Sequence, residues 1–248
     1  MSVKSVAKNV EHVTGSKPRS VPPEIEMAYP YEAFASKILP HIRKYDAAMS
    51  ELKVRFEIID KDLQVRSHRN PIHHIESRTK SPRSMYEKIV RYGYNPTVEN
   101  VEAHLMDVAG IRIITSYIQD VYRMVEMLKR QDDLEIVEIK DYIANPKPNG
   151  YRSLHVIVRI PVFFMDSKQM IPVEVQIRTI AMDFWSSLEH ALRYKNQWVL
   201  DSQSPALNDI RGRLRECAER ISAIDQDMQH VQDDIAALMD EQGIKWEH

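Results

Sequence analysis

The sequence has a single cysteine, Cys217, among its 248 residues. One thiol excludes a disulfide framework and a cysteine-built zinc cluster. No apolar run approaches the ~20 residues that a membrane-spanning helix needs. Neither sign of charge dominates. The 34 Lys and Arg residues face 36 Asp and Glu, a net charge of −2, which argues against bulk electrostatic affinity for nucleic acid or anionic membrane and allows only a local basic patch. There is no GxxxxGK[ST] phosphate loop and no GxGxxG, so neither a P-loop nor a dinucleotide fingerprint is available. Met1 to Ser20 are basic and polar with no apolar centre, unlike a secretory signal. With 43% apolar and 28% charged residues, the composition is that of a soluble globular protein. A cytoplasmic, reducing compartment is expected.

What is present divides the chain into three. Residues 1–23 carry few large apolar groups and read as a flexible arm. From Tyr29 to about Arg66, Phe34, Ile38, Ile42, Tyr45, Met49, Leu52, Phe56 and Ile59 recur at helical spacing, with Pro40 dividing the stretch or opening a turn. From about Ile72 to Asn196, helix and strand signals alternate. Ser81-Pro82 reads as an N-cap with proline at N1, opening a helix through Ile89, and a short helix follows over Val98 to Asp107. Strands are expected at Ile111–Ile118, Glu135–Ile143, Ser153–Phe164 and Met170–Thr179, with helices over Asp120–Arg130 and Ala181–Lys195. The last two strands are joined by a polar hairpin around Asp166-Ser167 and must pair antiparallel, so the sheet is not doubly wound.

The tail carries a strict heptad seam: Leu207, Ile210, Leu214, Cys217, Ile221, Ile224, Met228, Val231, Ile235 and Leu238 alternate steps of three and four. It suits a helix docked on the N-terminal helices of its own chain, or a seam between subunits; its length favours the second.

Four segments could carry chemistry. Arg78, Lys80, Arg83, Lys88 and Arg91 set five cations against Glu87 within 14 positions, and Ser84 shares a helix face with Lys88. Lysines, a hydroxyl and a helix N-terminus suit a polyphosphate, although a charge run is usually a solvated face. Asp107-Val108-Ala109-Gly110-Ile111-Arg112 turns from helix to strand, where an aspartate could hold Mg²⁺ or could simply cap. On the strand Val173–Arg178, period two puts Glu174, Gln176 and Arg178 on one face, either a lined cleft or a solvated edge. The loop Lys147–His155 offers Lys147, Asn149, Tyr151, Arg152 and His155, a set able to clamp a nucleotide by stacking and charge; a tyrosine at a strand entrance can equally be packing.

In this order and spacing the four segments resemble the synthetase domain of the RelA/SpoT-homologue alarmone synthetases. The match rests on Arg78-Thr79-Lys80, the Asp107–Arg112 turn, the stretch from Lys140 to His155, Glu174–Thr179, and Trp185 with Glu189-His190. It spans about residues 40–240. No His-Asp dipeptide occurs, and there is no room for a hydrolase or regulatory domains, so the resemblance is to a stand-alone small synthetase. It implies an α+β fold: a nucleotidyltransferase-like mixed sheet of about five strands flanked by helices, with the synthetase domain over 24–200 and a C-terminal helical oligomerisation segment over 201–248. It also implies pyrophosphate transfer from ATP to the 3′-hydroxyl of GTP or GDP, giving (p)ppGpp and AMP, with Mg²⁺ as cofactor and a homotetramer as the assembly.

On this chain the resemblance places Arg78 and Arg112 around the adenine, Lys80, Ser84 and Lys88 on ATP phosphates, and Asp107 and Glu174 on the metal, Glu174 doubling as the base. Tyr151 would stack on guanine, with Lys140, Lys147, Asn149, Arg152, His155, Gln176 and His190 around the acceptor nucleotide. A stacking role predicts that losing only the Tyr151 hydroxyl is mild. Family members activated by alarmone carry a Phe-x-x-Gly element where His74 and Ser77 stand here, so no activation of that kind is expected. The alternative is a catalytically silent nucleotide- or RNA-binding module on the same scaffold, which predicts a missing metal ligand or base; neither is missing, and the net charge gives RNA binding no special support.

Overall fold

The computed structural model describes residues 21–67, 70–200 and 205–242. Of the expected arm, residues 1–20 lie outside this set, while Val21 is already buried in the core. Two helices open the chain: α1 (Pro23–Ala28) and α2 (Tyr31–Ser67). Pro40 neither divides α2 nor opens it but sits inside. It points to solvent, whereas Phe34, Ile38, Tyr45 and Leu52 are buried. The hydrogen bond its ring removes is therefore on the hydrated side, and core contacts before and after it carry the helix through.

Strand β1 (Ile72–Thr79) follows, then α3 (Pro82–Arg91), α4 (Val98–His104), β2 (Ala109–Thr115), α5 (Ile118–Lys129), β3 (Glu135–Asp141), β4 (Leu154–Phe163), β5 (Lys168–Thr179), α6 (Ile180–Leu200) and α7 (Pro205–Glu241). The Ser81 side chain caps α3 by accepting from the Ser84 amide at 3.2 Å. Gly93, at φ 83°, ends it, with its amide donating to Val90 O at 2.9 Å. Helix α4 stops at His104, three residues short of the expected Asp107, which frees Asp107 to stand at the turn into β2.

The sheet is mixed, in the order β1-β2-β5-β4-β3; β2 and β5 run parallel and every other pair antiparallel. Strand β1 is the fifth strand, which the sequence pattern did not locate. One face is apolar: Ile111, Ile113, Val156, Val158, Val173, Val175 and Ile177 join α2 and the Val121, Met124 and Leu128 side of α5 in one core. The opposite face is polar, and the register alone assembles it. Arg78 pairs with Gly110, Gly110 with Glu174, Glu174 with Ile157 and Ile157 with Glu138 in one row across all five strands. The next row runs Glu76, Arg112, Gln176, His155, Lys140. Because side chains alternate with period two, these two rows project together.

Helix α7 docks on α6 and α5, not along α2. Ala218, Asp225 and Gln229 are buried in this contact. Much of the heptad seam is not: Ile224 is 60% exposed, and Ile210, Met228, Val231, Ile235 and Leu238 are also open.

Candidate active site

Part of the polar face is a cavity of about 670 Å³ between β1, β2, β5 and the start of α3. Arg78, Lys80, Ser84, Asp107, Arg112, Glu174 and Gln176 line it, together with Glu76 and Ser77. Asp107 is its charge centre. Its Oδ2 takes Lys88 Nζ at 2.5 Å and Lys80 Nζ at 3.2 Å, while Oδ1 is buried with no hydrogen-bond partner. Arg112 reaches Glu76 at 3.2 Å and Asp183 at 3.7 Å, and its Nε is likewise buried without a partner. Two buried polar atoms left open on one cavity wall are unusual in a folded protein and fit a wall that is completed by a ligand.

Glu174 joins the two halves of the site. Its Oε1 accepts from His155 Nδ1 at 3.2 Å and its Oε2 from Gln176 Nε2 at 2.8 Å. Burial pushes its carboxyl up, but the hydrogen bond and charge of His155, the Gln176 amide and the nearby Lys88 outweigh that and hold it down at about 2. The group is a carboxylate at every working pH.

Beyond Glu174, the Tyr151 hydroxyl lies 2.8 Å from His155 Nε2 and accepts from Arg178 Nη2 at 2.7 Å. Lys147 Nζ stands 4.5 Å from the Tyr142 ring centre and 4.7 Å from that of Tyr151; burial pushes its ammonium pKa down. Asn149 fixes the loop, accepting from the Tyr151 amide at 3.2 Å and donating to Glu189 at 3.4 Å. Gly150 has φ 87°, and a Cβ there would collide with Ala218, so both backbone and space call for glycine.

The expected residues therefore fall largely into one face, with Lys140 at its rim and Arg152 turned away. Arg78, Lys80, Ser84, Lys88, Asp107, Arg112, Glu174 and Gln176 surround or abut the cavity, and Lys147, Asn149, Tyr151 and His155 continue from it. Lys140 is at the rim, paired with Glu138 at 2.9 Å. Arg152 turns the other way, donating to Gly150 O at 3.3 Å and reaching Ala218 O at 3.5 Å. His190 stands exposed on α6, beyond Glu189. His74 is exposed beside Glu76, at 3.6 Å, and Ser77 lines the cavity itself.

The pattern described as "Region found in RelA / SpoT proteins" matches residues 77–198, the span that carries this face. The chain is 41% identical over 191 residues to GTP pyrophosphokinase YwaC of Bacillus subtilis, covering 77% of this chain and 88% of that one. This chain belongs to the RelA/SpoT family. Two solved structures agree with it along most of their length. Small alarmone synthetase 2 of Bacillus subtilis has a TM-score of 0.68 at 41% identity, over 78% of this chain and 97% of its own. Small alarmone synthetase 1 of the same organism, bound to its product pppGpp, has 0.68 at 32% identity over 77% and 94%.

For a RelA/SpoT chain, the residue that sequence reasoning underused is Arg178. It was legible as the third member of the Glu174 alternation but received no role. It is 4% exposed and donates to Tyr151, to Gln176 at 2.9 Å, to Ser186 at 3.0 Å and to Asp183 at 3.2 Å. A buried guanidinium with that many acceptors holds the Tyr151 loop against β5 and α6. Glu76 was missed because β1 was not recognised as a strand.

Proposed function

We propose that the chain transfers the terminal pyrophosphate of ATP to the 3′-hydroxyl of GTP or GDP, making (p)ppGpp and AMP without hydrolase activity. The observation that carries this reading is Glu174. It belongs at once to the cation-lined cavity of Lys80, Asp107 and Arg112 and, through His155, to the loop of Tyr151.

Arg78 and Arg112 bracket the donor base. Lys80 and Ser84 receive the phosphates at the N-terminal end of α3, and Lys88 reaches in from its last turn, the lysines exchanging Asp107 for phosphate oxygens. Tyr151 stacks on guanine, and Lys147, Asn149, His155 and Gln176 surround the acceptor. The acceptor 3′-oxygen attacks the β-phosphorus of ATP, the bond from that phosphorus to the bridging oxygen of the α-phosphate breaks, and AMP leaves. Such a transfer is governed by positioning and by cations where charge spreads. Asp107 and Glu174 fit a divalent cation: Asp107 Oδ1 is buried and open, and Glu174 keeps its charge. Mg²⁺ is commonly held by one or two carboxylates with waters and substrate phosphates, and Asp107 and Glu174 would be those carboxylates here. Bound there, Mg²⁺ would neutralise the transferring phosphates and acidify the attacking hydroxyl. A carboxylate held near 2 is a weak base alone, so Glu174 acts first by charge and position and takes the proton only from a hydroxyl already acidified.

Incubation with ATP, GDP and Mg²⁺ followed by nucleotide separation tests this. Equal AMP and a 3′-pyrophosphorylated guanine nucleotide are expected; binding of both nucleotides with no AMP would instead establish the silent binding module.

Tyr151→Ala is expected to weaken the guanine nucleotide by the ~1–3 kcal/mol of one stacked base, and ATP hardly at all. Tyr151→Phe is no longer expected to be mild, because the hydroxyl is the partner of both Arg178 and His155. Removing it leaves Arg178 Nη2 with Gln176 Oε1 alone and takes from His155 Nε2 its hydroxyl partner, at about 1–3 kcal/mol. Equal losses for both nucleotides in competition binding would move Tyr151 from base reading to loop support.

The reading extends to assembly and place. Residues 24–200 act as the synthetase domain and 201–248 as the oligomerisation segment of a homotetramer. Its support is the row of apolar residues that α7 leaves open after docking on its own chain. Ile221 turns toward Gly150 and Arg152, so the informative substitutions are Ile224→Asp with Ile235→Asp. Folded, smaller species are expected in sedimentation; an unchanged oligomer removes the seam. No helix among the described residues is long and apolar enough to cross a membrane, and a cytoplasmic site of action fits nucleotide substrates.

A further inference from the structure

We infer that α7 is part of the acceptor site's support, and that Arg152, Ala218 and Asp225 are positioning residues for the guanine-nucleotide loop. The inference rests on the reading that this loop receives the acceptor.

Three contacts carry it. First, Gly150 lies so close to Ala218 that no side chain fits between them, and Ala218 is itself buried. The loop backbone one residue before Tyr151 therefore rests directly on α7. Second, Arg152 Nη1 bridges Gly150 O at 3.3 Å and Ala218 O at 3.5 Å, tying the loop backbone to that of α7. Third, buried Asp225 accepts from Thr179 Oγ1 at 2.6 Å. Thr179 Oγ1 in turn accepts from the Met182 amide at 3.1 Å, capping the start of α6. Thr179 directly follows Arg178, whose guanidinium holds the Tyr151 hydroxyl. Both ends of the acceptor loop's anchorage, Gly150 below and Arg178 beside the ring, thus lead to one face of α7. The donor-side wall of β1, β2 and α3 meets this anchorage where Arg112 approaches Asp183, a partner of Arg178, at 3.7 Å, and makes none of the contacts to α7.

That face is distinct from the open apolar seam. Ala218, Asp225 and Gln229 turn inward, whereas Ile224, Met228 and Val231 turn out. One helix thus supports the acceptor loop with one side and leaves the other for a second copy, so the loop can be perturbed without touching the seam. The asymmetry between substrates follows from where the contacts lie. A small displacement of the loop misplaces the guanine nucleotide, while the adenine arginines and the phosphate lysines stay where they are. Misplacement by about an ångström from a residue outside the chemistry costs up to about a hundredfold.

The test uses the full chain and equilibrium binding, by calorimetry, of GDP and of a non-hydrolysable ATP analogue, with sedimentation and circular dichroism as controls. Ala218→Leu and Arg152→Gln are each expected to weaken GDP about tenfold, within the range usual for coupled sites, with ATP-analogue affinity, helix content and oligomer size unchanged. Asp225→Leu should do the same and Asp225→Asn should restore GDP binding, since an amide oxygen can still accept from Thr179. Unchanged GDP affinity in Ala218→Leu, or GDP and ATP analogue weakened alike, overturns the inference. If only Arg152→Gln acts, Arg152 is a direct nucleotide ligand. A wild-type chain that binds no guanine nucleotide at all overturns instead the parent reading, and this inference with it.

Discussion

Glu174→Gln is expected to reduce synthesis by at least about a thousandfold while leaving ATP binding within a few-fold of wild type. The substitution is nearly isosteric, so what it removes is the charge and one of the two accepting oxygens. Glu174 spends both oxygens on His155 and Gln176 and still carries a full negative charge, because its carboxyl is held down at about 2. A neutral amide forfeits a cation ligand and a proton acceptor together, each worth orders of magnitude at roughly 1.4 kcal/mol per tenfold. The proposed ATP contacts lie mainly elsewhere, on Lys80, Ser84, Lys88 and the two arginines. Single-turnover AMP release alongside ATP-analogue titration checks this, and a variant with more than a tenth of wild-type turnover would take Glu174 out of the mechanism. The same residue sets a sign for acid stability. Its pKa falls from 4.5 to about 2 on folding, so its contribution is present above about 4.5 and is lost as pH drops through about 2. Glu174→Gln should therefore flatten acid unfolding in that window and leave neutral pH profiles without a Glu174 limb.

How much of this was legible beforehand depends on what fixes each feature. Glu174, Gln176 and Arg178 could be put on one face because strand alternation is a local rule. The N-cap at Ser81 and the antiparallel hairpin of β4 and β5 are local too, and all appear as read. Strand β1 escaped because Ile72–Thr79 places His73, His74, Glu76 and Arg78 in an edge strand with few buried side chains, so its strand character comes from pairing with β2 and not from its own composition. Pro40 was misjudged for the complementary reason: a proline penalty is local, but core contacts on either side of it are not. Arg152 shows where motif proximity misleads. It sits between Tyr151 and Ser153 in the most specific stretch of the chain, yet the direction of its side chain is decided by α7, more than sixty residues away. The tail seam was correctly periodic, but periodicity alone does not say which face a helix gives to its own domain. The inward face proved to join Leu207 and the small Ala218 to the polar Asp225 and Gln229, and a search for apolar spacing passes over the last two.

Asp107→Asn is expected to split two properties that usually fall together. Turnover with Mg²⁺ should drop about a thousandfold or more, since the buried, open Oδ1 and the negative charge of the group are lost to the metal. ATP binding without metal should instead become tighter. In the free protein Lys88 and Lys80 are both committed to Asp107 Oδ2, at 2.5 and 3.2 Å, and an incoming polyphosphate must compete with that carboxylate for them. Neutralising it releases two partly buried cations and removes one negative charge beside the phosphates. At a few ångströms in a solvated cleft that repulsion amounts to about 1 kcal/mol, or roughly fivefold in affinity. The lysines keep their places, because the asparagine oxygen still accepts a hydrogen bond from one of them. Calorimetric titration of ATP in chelator and in excess Mg²⁺ separates the two effects: wild type gains affinity when the cation is added, and Asp107→Asn gains little or none. Weaker metal-free binding in the variant would mean that Asp107 holds the lysines in position for phosphate and does not compete with it. Turnover above a tenth of wild type would remove Asp107 from the metal site altogether.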